Sequence, residues 1–189
     1  MDATGGDPGD AELTRLSLAG DRSAFSQLMG RHKGPIHGYI RRYVRDPDDA
    51  ADVLQDTFVS AWRALSSYDP GRPFDVWLRR VALNKCRDHG RRASVRRVIS
   101  GLFDSSGRRV EDRPDPTADG EASLIAREDV RALEAALAAL PHGLRDPLVL
   151  TVLEGLSQAE AGAVLGLSAK AVEVRVYRAR AKLAATLKR

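Results

Sequence analysis

The 189-residue chain has room for one ordinary domain or two small ones, and its 30 basic against 26 acidic residues leave a formal charge of only +4. The single cysteine, Cys86, excludes a disulfide framework and a cysteine zinc cluster; His32, His37, His89 and His142 are scattered without metal-ligand spacing, so neither metal nor cofactor is implied. Met1 to Asp10 has neither a basic n-region nor an apolar h-region, and no apolar run nears the roughly 20 residues that span a bilayer. A cytoplasmic protein with no membrane insertion is expected.

Ala and Leu abound, β-branched alternation is absent, and apolar residues recur at three and four, which predicts an all-α chain. Glu12 to Ala19 reads as a short opening helix. Asp21 or Ser23 caps the next, which carries Phe25, Leu28 and Met29; Gly34-Pro35 is expected to interrupt it before it resumes over Ile36 to Val44. Asp46-Pro47 reads as a turn, with Asp48 or Asp49 capping a strong helix that ends near Leu65. Ser66 to Pro73 contains two prolines and a glycine and cannot be helical throughout. Phe74 to Arg92 is helical again, with Phe74, Trp77, Leu78, Val81 and Ala82 as its buried stripe. Beyond Arg97, Gly101, Ser105, Gly107, Pro114 and Pro116 mark a linker. Helical periodicity returns from Ala122 to Leu140, where Pro141 stops it. The organisation predicted is a helical domain over 1–97, a flexible acidic linker over 98–121, and a helical domain over 122–189. Units this small bury only about 60% of their unfolded surface and lean on partners.

Charge is distributed unevenly. Arg79 to Arg97 holds eight basic residues and one acidic; Ser168 to Arg189 holds seven and one; Asp104 to Asp129 reverses the sign with eight acidic and four basic. Two positive zones separated by an acidic stretch suit two contacts with a polyanion, although Arg-rich helices are also found as plain solvated faces.

Gln158 to Tyr177 has the spacing of a helix-turn-helix. Gly162 sits where two helices approach closely, Gly166 where the turn needs positive φ, and Ser168 where the second helix needs a cap. Val172, Val176, Ala179, Leu183 and Leu187 form an inward stripe. The opposite face presents Lys170, Ala171, Val174, Tyr177 and Arg178, a surface for the major groove, while Arg175, Arg178 and Arg180 suit phosphates. A helical hairpin with a basic face would share some of these features. By itself the motif indicates a DNA-binding regulator.

In the helix from Asp49 to Leu65, Leu54, Phe58, Ala61, Trp62 and Leu65 line one face, and Asp52, Gln55, Asp56 and Ser60 occupy the rest. Acidic first turns suit the helix dipole, but dipole stabilisation does not call for Gln55 and Asp56 further along. The strip of Asp52, Gln55 and Asp56 suits docking of a basic protein partner. The loop with Ser66, Ser67, Tyr68, Asp69 and Arg72, followed by Arg79, Arg80, Asn84 and Lys85 on a helix, offers what single-stranded DNA requires: cations for phosphates and polar groups for unstacked bases. Phe74 and Trp77 are assigned to the core. No carboxylate–histidine cluster, nucleophile motif or phosphate-cradling glycine loop supports an enzyme. A repressor binding duplex DNA alone would explain the chain from Ala122 onward and leave the N-terminal domain without a purpose.

Three stretches carry a resemblance. They are Asp49-Ala-Ala-Asp-Val-Leu-Gln-Asp-Thr-Phe-Val-Ser-Ala-Trp-Arg63; Phe74-Asp-Val-Trp-Leu-Arg-Arg-Val-Ala-Leu-Asn84 with Asp88, Arg91 and Arg92; and Leu140-Pro-His-Gly-Leu-Arg145, continuing through Glu154 to Glu160 and Leu165 to Ser168 as far as Leu183. Together, in this order and separation, they resemble the bacterial RNA polymerase sigma factors of the extracytoplasmic-function group. The resemblance implies a non-enzymatic initiation factor with a region-2-like and a region-4-like domain. Its partners would be core RNA polymerase, docked by the helix of Asp52, Gln55 and Asp56, promoter DNA both duplex and melted, and an anti-sigma protein. The loop from Ser66 to Pro73 and the helix after it would open and read the minus-ten element. The helix-turn-helix, with Ser168, Lys170, Ala171, Val174, Arg175, Tyr177 and Arg178, would read the minus-thirty-five element. The linker would run toward the active-site cleft of the polymerase. Two stretches depart from the family pattern: Glu160-Ala-Gly162 stands where Glu-Ile-Ala is usual, and in Lys170 to Arg175 a glutamate, Glu173, replaces a cation and Val174 a hydroxyl.

Overall fold

The computed structural model describes residues 8–103, 130 and 132–187, all of whose regular elements are helical. The chain forms two compact units, Met1–Arg92 and Ala93–Arg189. Most of the expected linker, and the N-terminal part of the helix expected over Ala122 to Leu140, lie outside the described residues.

The first unit begins with α1 (Asp10–Leu18), which buries Leu13, Thr14 and Ser17; the two hydroxyls donate to the carbonyls of Asp10 and Leu13, so neither polar group is stranded. Helix α2 (Arg22–Arg41) is capped by Asp21, whose carboxylate accepts from the amides of Ser23 and Ala24. The break expected at Gly34-Pro35 does not occur: α2 runs through Pro35. A proline inside a helix loses one hydrogen bond and crowds the carbonyl four residues back, at a cost of about 3 kcal/mol. Ile36, Tyr39 and Ile40, all fully buried just beyond it, hold the last turns of α2 in the core. Helix α3 (Pro47–Ala64) is capped by Asp46 rather than Asp48 or Asp49, with Asp46 Oδ1 accepting from both of those amides at 2.9 Å. Asp46-Pro47 is therefore the helix start, with proline in the first turn where its missing N–H costs nothing.

The buried stripe of α3 is centred on Ala50, Val53, Leu54, Thr57, Phe58 and Ala61. Trp62 lies at its edge, 39% exposed, with its ring edge-on to Phe25 at 4.8 Å. A short 3-10 turn (Leu65–Ser67) and a loop lead to α4 (Phe74–Phe103), which continues well past Arg92. Phe74, Leu78 and Ala82 are buried in α4 as expected, and Val76, Leu83 and Cys86 join them, while Trp77 and Val81 are half-buried.

The second unit includes a helical segment over residues 132–138 (α5), then α6 (His142–Leu148), a π-helical turn (Val149–Leu153), α7 (Gln158–Leu165) and α8 (Ala169–Leu187). Leu140, Leu148 and Ala179 form a cluster onto which Leu137, Leu144, Val176 and Leu183 pack. The inward stripe of α8 thus holds through Leu183 but not at Leu187, which is 46% exposed at the helix end.

Candidate nucleic-acid interface

In the second unit, local chemistry fixes how α8 is presented. Ser157 caps α7 in a reciprocal box: the Glu160 amide donates to Ser157 Oγ at 3.2 Å, and Glu160 Oε2 accepts from the Ser157 amide at 2.8 Å. The Ser-x-x-Glu spacing is the sequence signal of this box. Gly166 ends α7 at φ +68°, and a Cβ on Gly162 would lie 2.5 Å from the Leu167 carbonyl oxygen. The turn therefore passes directly over Gly162, which only hydrogen permits. Ser168 Oγ accepts from the Ala171 amide at 3.2 Å, starting α8, and Val172 is fully buried.

The outer face of α8 is open. Tyr177 is 74% exposed, and Lys170, Val174 and Arg178 are also exposed. Ala171 is half-buried. So is Arg175, whose Nη1 would stand 3.9 Å from a Cβ on Gly143, close against α6. Lys170 and Glu173 pair across one turn at 2.8 Å. Val152 and Leu153 are exposed apolar side chains on the preceding π-helical turn, and Val152 shares a crevice of about 370 Å³ with Glu173, Tyr177 and Arg180.

In the first unit, Asp52, Gln55 and Asp56 are exposed along α3. Beside them runs an open groove of about 640 Å³ between α2 and α3, lined by Phe25, Met29, Phe58, Val59 and Trp62 and rimmed by Lys33, Gln55 and Arg63. Periodicity sets Trp62 on the apolar face of the helix and gives no sign of this groove. Val59, likewise exposed, was not singled out.

The loop residues divide into two kinds. Ser66, Ser67, Asp69 and Arg72 are exposed. Tyr68 is not: it is 6% exposed, its ring packs on Phe74 and Trp77 at 5.3 and 5.4 Å, and its hydroxyl donates to the Arg72 carbonyl at 2.6 Å. Burial, then the carboxylates of Asp10, Asp69 and Asp75, raises the Tyr68 hydroxyl above its ordinary pKa. Asp69 Oδ1 accepts from the Gly71 amide at 2.9 Å, closing a tight turn before Pro73. On α4, Arg80 and Asn84 are exposed and Lys85 is half-buried, whereas the Arg79 side chain is largely covered, its guanidinium over the Tyr39 ring at 5.6 Å. Tyr68 and Arg79, named from sequence as DNA contacts, are thus largely covered by neighbouring side chains. Among the described residues no cluster of ligating side chains could hold a metal ion, and no described helix is long and apolar enough to cross a membrane.

Residues 28–96 match the family model for sigma-70 region 2, and residues 130–183 match that for sigma-70 region 4. The RNA polymerase sigma factor CnrH of Cupriavidus metallidurans is 42% identical over 187 residues, covering 95% of this chain and 96% of its own. The chain belongs to the RNA polymerase sigma factors of the extracytoplasmic-function group. The ECF sigma factor SigM of Mycobacterium tuberculosis is 36% identical over 178 residues, covering 94% of this sigma factor and 84% of its own length. Among solved structures, CnrH in complex with the cytosolic domain of CnrY aligns with a TM-score of 0.66 at 40% identity, covering 95% of this chain and 97% of that one. RpoE of Bartonella quintana, solved with the anti-sigma factor NepR, shares the fold at a TM-score of 0.61 and 22% identity, covering 87% of this chain and 96% of that one. The all-α, two-unit reading and the family resemblance of the sequence both hold.

Proposed function

We propose that this sigma factor binds core RNA polymerase through α3, opens and reads the minus-ten element with the loop from Ser66 to Pro73 and the polar face of α4, and reads the minus-thirty-five element with α8. These tasks fall to the region-2-like span, 1–97, and the region-4-like span, 122–189, joined by residues 98–121. The reading rests most directly on the juxtaposition in α3 of the exposed Asp52, Gln55 and Asp56 with the open groove at Trp62. An acidic strip steers a basic partner, and an adjoining apolar groove supplies the desolvated anchor that charge alone does not.

For DNA, the working set is narrower than the sequence suggested. Ser66, Ser67, Asp69 and Arg72 face outward and are available to an unstacked base, and Arg80, Asn84 and Lys85 to the backbone of the separated strand. Tyr68 and Arg79 hold that surface in shape. On α8, Lys170, Val174, Tyr177 and Arg178 face the duplex. Ser168 and Ala171 stand at the helix start nearest the bases, with Arg175 at the side toward phosphate. CnrH is known in complex with CnrY, and the likeness of this chain to CnrH supports an anti-sigma protein as its regulator. Work in the cytoplasm alongside the polymerase follows from the same reading.

The experiment is a charge reversal on α3. Asp52→Lys with Asp56→Lys should abolish co-purification with core polymerase while helicity, followed by circular dichroism, is unchanged. Undiminished binding would remove the strip from the docking surface.

A further inference from the structure

The loop proposed to open DNA is tied to a distant part of the first unit. An open cavity of about 500 Å³ lies against it, lined by Asp10 and His32 together with the stretch from Pro70 to Asp75. One chain of contacts ties the loop back to α1. The Tyr68 hydroxyl grips the Arg72 carbonyl, and the Tyr68 ring packs on Phe74. The Phe74 ring lies 5.1 Å from that of His32 on α2. His32 Nε2 stands 2.7 Å from Asp10 Oδ2, and Arg31 Nη1 stands 3.1 Å from Asp10 Oδ1. Asp10 is the first residue of α1, far from the loop in sequence, and its carboxylate is only partly exposed. A charge-assisted contact in such a setting is stronger than a surface ion pair.

We propose that Asp10 and His32 are positioning residues for promoter opening: α1 fixes His32, His32 fixes Phe74, and Phe74 with Tyr68 fixes the loop in its reading conformation. Neither residue touches DNA. The proposal rests on the loop being the opening element, and it adds that α1 sets how well that element is preformed. Losing the brace lets the loop sample other positions over the cavity, and the ordering cost then falls on the melting step.

The test uses holoenzyme assembled with full-length chains carrying Asp10→Ala, Asp10→Asn, His32→Phe, or Asp10→Ala with His32→Phe. Opening is followed by permanganate reactivity of unpaired thymines on a duplex promoter and by transcription from a premelted template. Asp10→Ala should lower duplex opening by about tenfold, the scale of one charge-assisted hydrogen bond, while core binding and premelted-template activity stay at the unsubstituted level. Asp10→Asn, which keeps one acceptor oxygen, should fall between. His32→Phe preserves the stacking on Phe74 and loses only the tie to Asp10, so the double variant should open no less than Asp10→Ala alone. Normal duplex opening in both single variants would overturn the proposal. So would equal losses on duplex and premelted templates, or losses that multiply in the double variant. Should Asp10→Ala fail to fold, the Asp10→Asn and His32→Phe holoenzymes carry the same comparison. A parallel holoenzyme with Ser66→Ala, Ser67→Ala and Arg72→Ala separates the two claims: if it fails to open while the braced-residue variants open normally, the loop reading survives and the brace does not; if it opens normally, both are overturned.

Discussion

The two units solve different recognition problems with different materials. The second reaches its form through backbone devices and small aliphatic side chains: a reciprocal cap at Ser157 and Glu160, a left-handed Gly166, a Cβ-free crossing at Gly162, and a core of Leu140, Leu148, Val149, Leu150, Val164 and Val172. Its task in the proposed reading is to hold one straight helix against a regular groove, which needs rigidity and little shape. The first unit concentrates the rings. Tyr39 with Tyr43, Phe25 with Trp62, and Tyr68 with Phe74 and Trp77 form edge-on or tilted pairs within 5.5 Å. Aromatic pairs have preferred geometries and polar handles, so they can shape an irregular loop in a way aliphatic packing cannot. On the proposed reading, the difference teaches that a duplex is read by a supported helix, whereas a base is taken from its stack by a preformed loop.

Several substitutions would break or sharpen that contrast. The largest effect should come from Gly162→Ala. Its Cβ would meet a backbone oxygen rather than a flexible side chain, so the turn itself must move, at about 2–3 kcal/mol. Thermal unfolding should show the loss in the second unit only, and binding to minus-thirty-five duplex should fall while core polymerase binding stays. Next, Ser157→Ala removes one side of the reciprocal cap and should cost about 1 kcal/mol, measurable by urea denaturation, with no change in promoter opening once the helix-turn-helix is folded. The smallest effect is expected from Tyr68→Phe, which keeps the ring packing but gives up the bond to the Arg72 carbonyl, about 1 kcal/mol or less.

Tyr68 also makes a pH prediction. Its folded-state pKa is raised, chiefly by burial, so the native protein holds the phenolic proton more tightly than the unfolded chain. This contribution to stability is fully present below the ordinary tyrosine range and is lost as pH rises through the raised native value. Ultraviolet titration of phenolate should show a component ionising above the ordinary range that disappears in Tyr68→Phe, and the alkaline decline in stability should be shallower in that variant.

The sequence was most legible where a structural need is met by neighbours in the chain. Gly162, Gly166 and Ser168 each answer a local backbone demand, and each stands where the spacing placed it. Asp52, Gln55 and Asp56 were found on the outside of α3 because helical periodicity alone separates them from Leu54 and Phe58. What failed depended on contacts between distant residues. Proline signals a helix break, yet Ile36, Tyr39 and Ile40 anchor α2 beyond Pro35. Periodicity put Trp62 with the core stripe, but the stripe is centred on Ala50, Val53 and Thr57, which leaves Trp62 at its edge. Tyr68 reads as an ordinary loop aromatic until Phe74, Trp77 and the Arg72 carbonyl are seen around it. Asp10 gives no local sign at all, since its partners Arg31 and His32 lie on another helix. Asp48 and Asp49 read as caps from their place in the sequence, but the cap is Asp46, one residue before the helix.

The central claim is that strand opening belongs to the loop of the first unit and duplex reading to α8 of the second. The most direct measurement compares two holoenzymes, one with Ser66→Ala, Ser67→Ala and Arg72→Ala, the other with Tyr177→Ala and Arg178→Ala, on one promoter supplied as duplex and as a premelted bubble. Unstacking a base costs on the order of a few kcal/mol, which the bubble removes. The loop variant should therefore bind core polymerase and form the closed complex, fail to give permanganate-reactive thymines on duplex, and recover part of its transcription on the bubble. The α8 variant should lose closed-complex formation instead, with any thymine reactivity falling in proportion. Normal opening by the loop variant, or a loss that the bubble does nothing to relieve, would contradict the assignment.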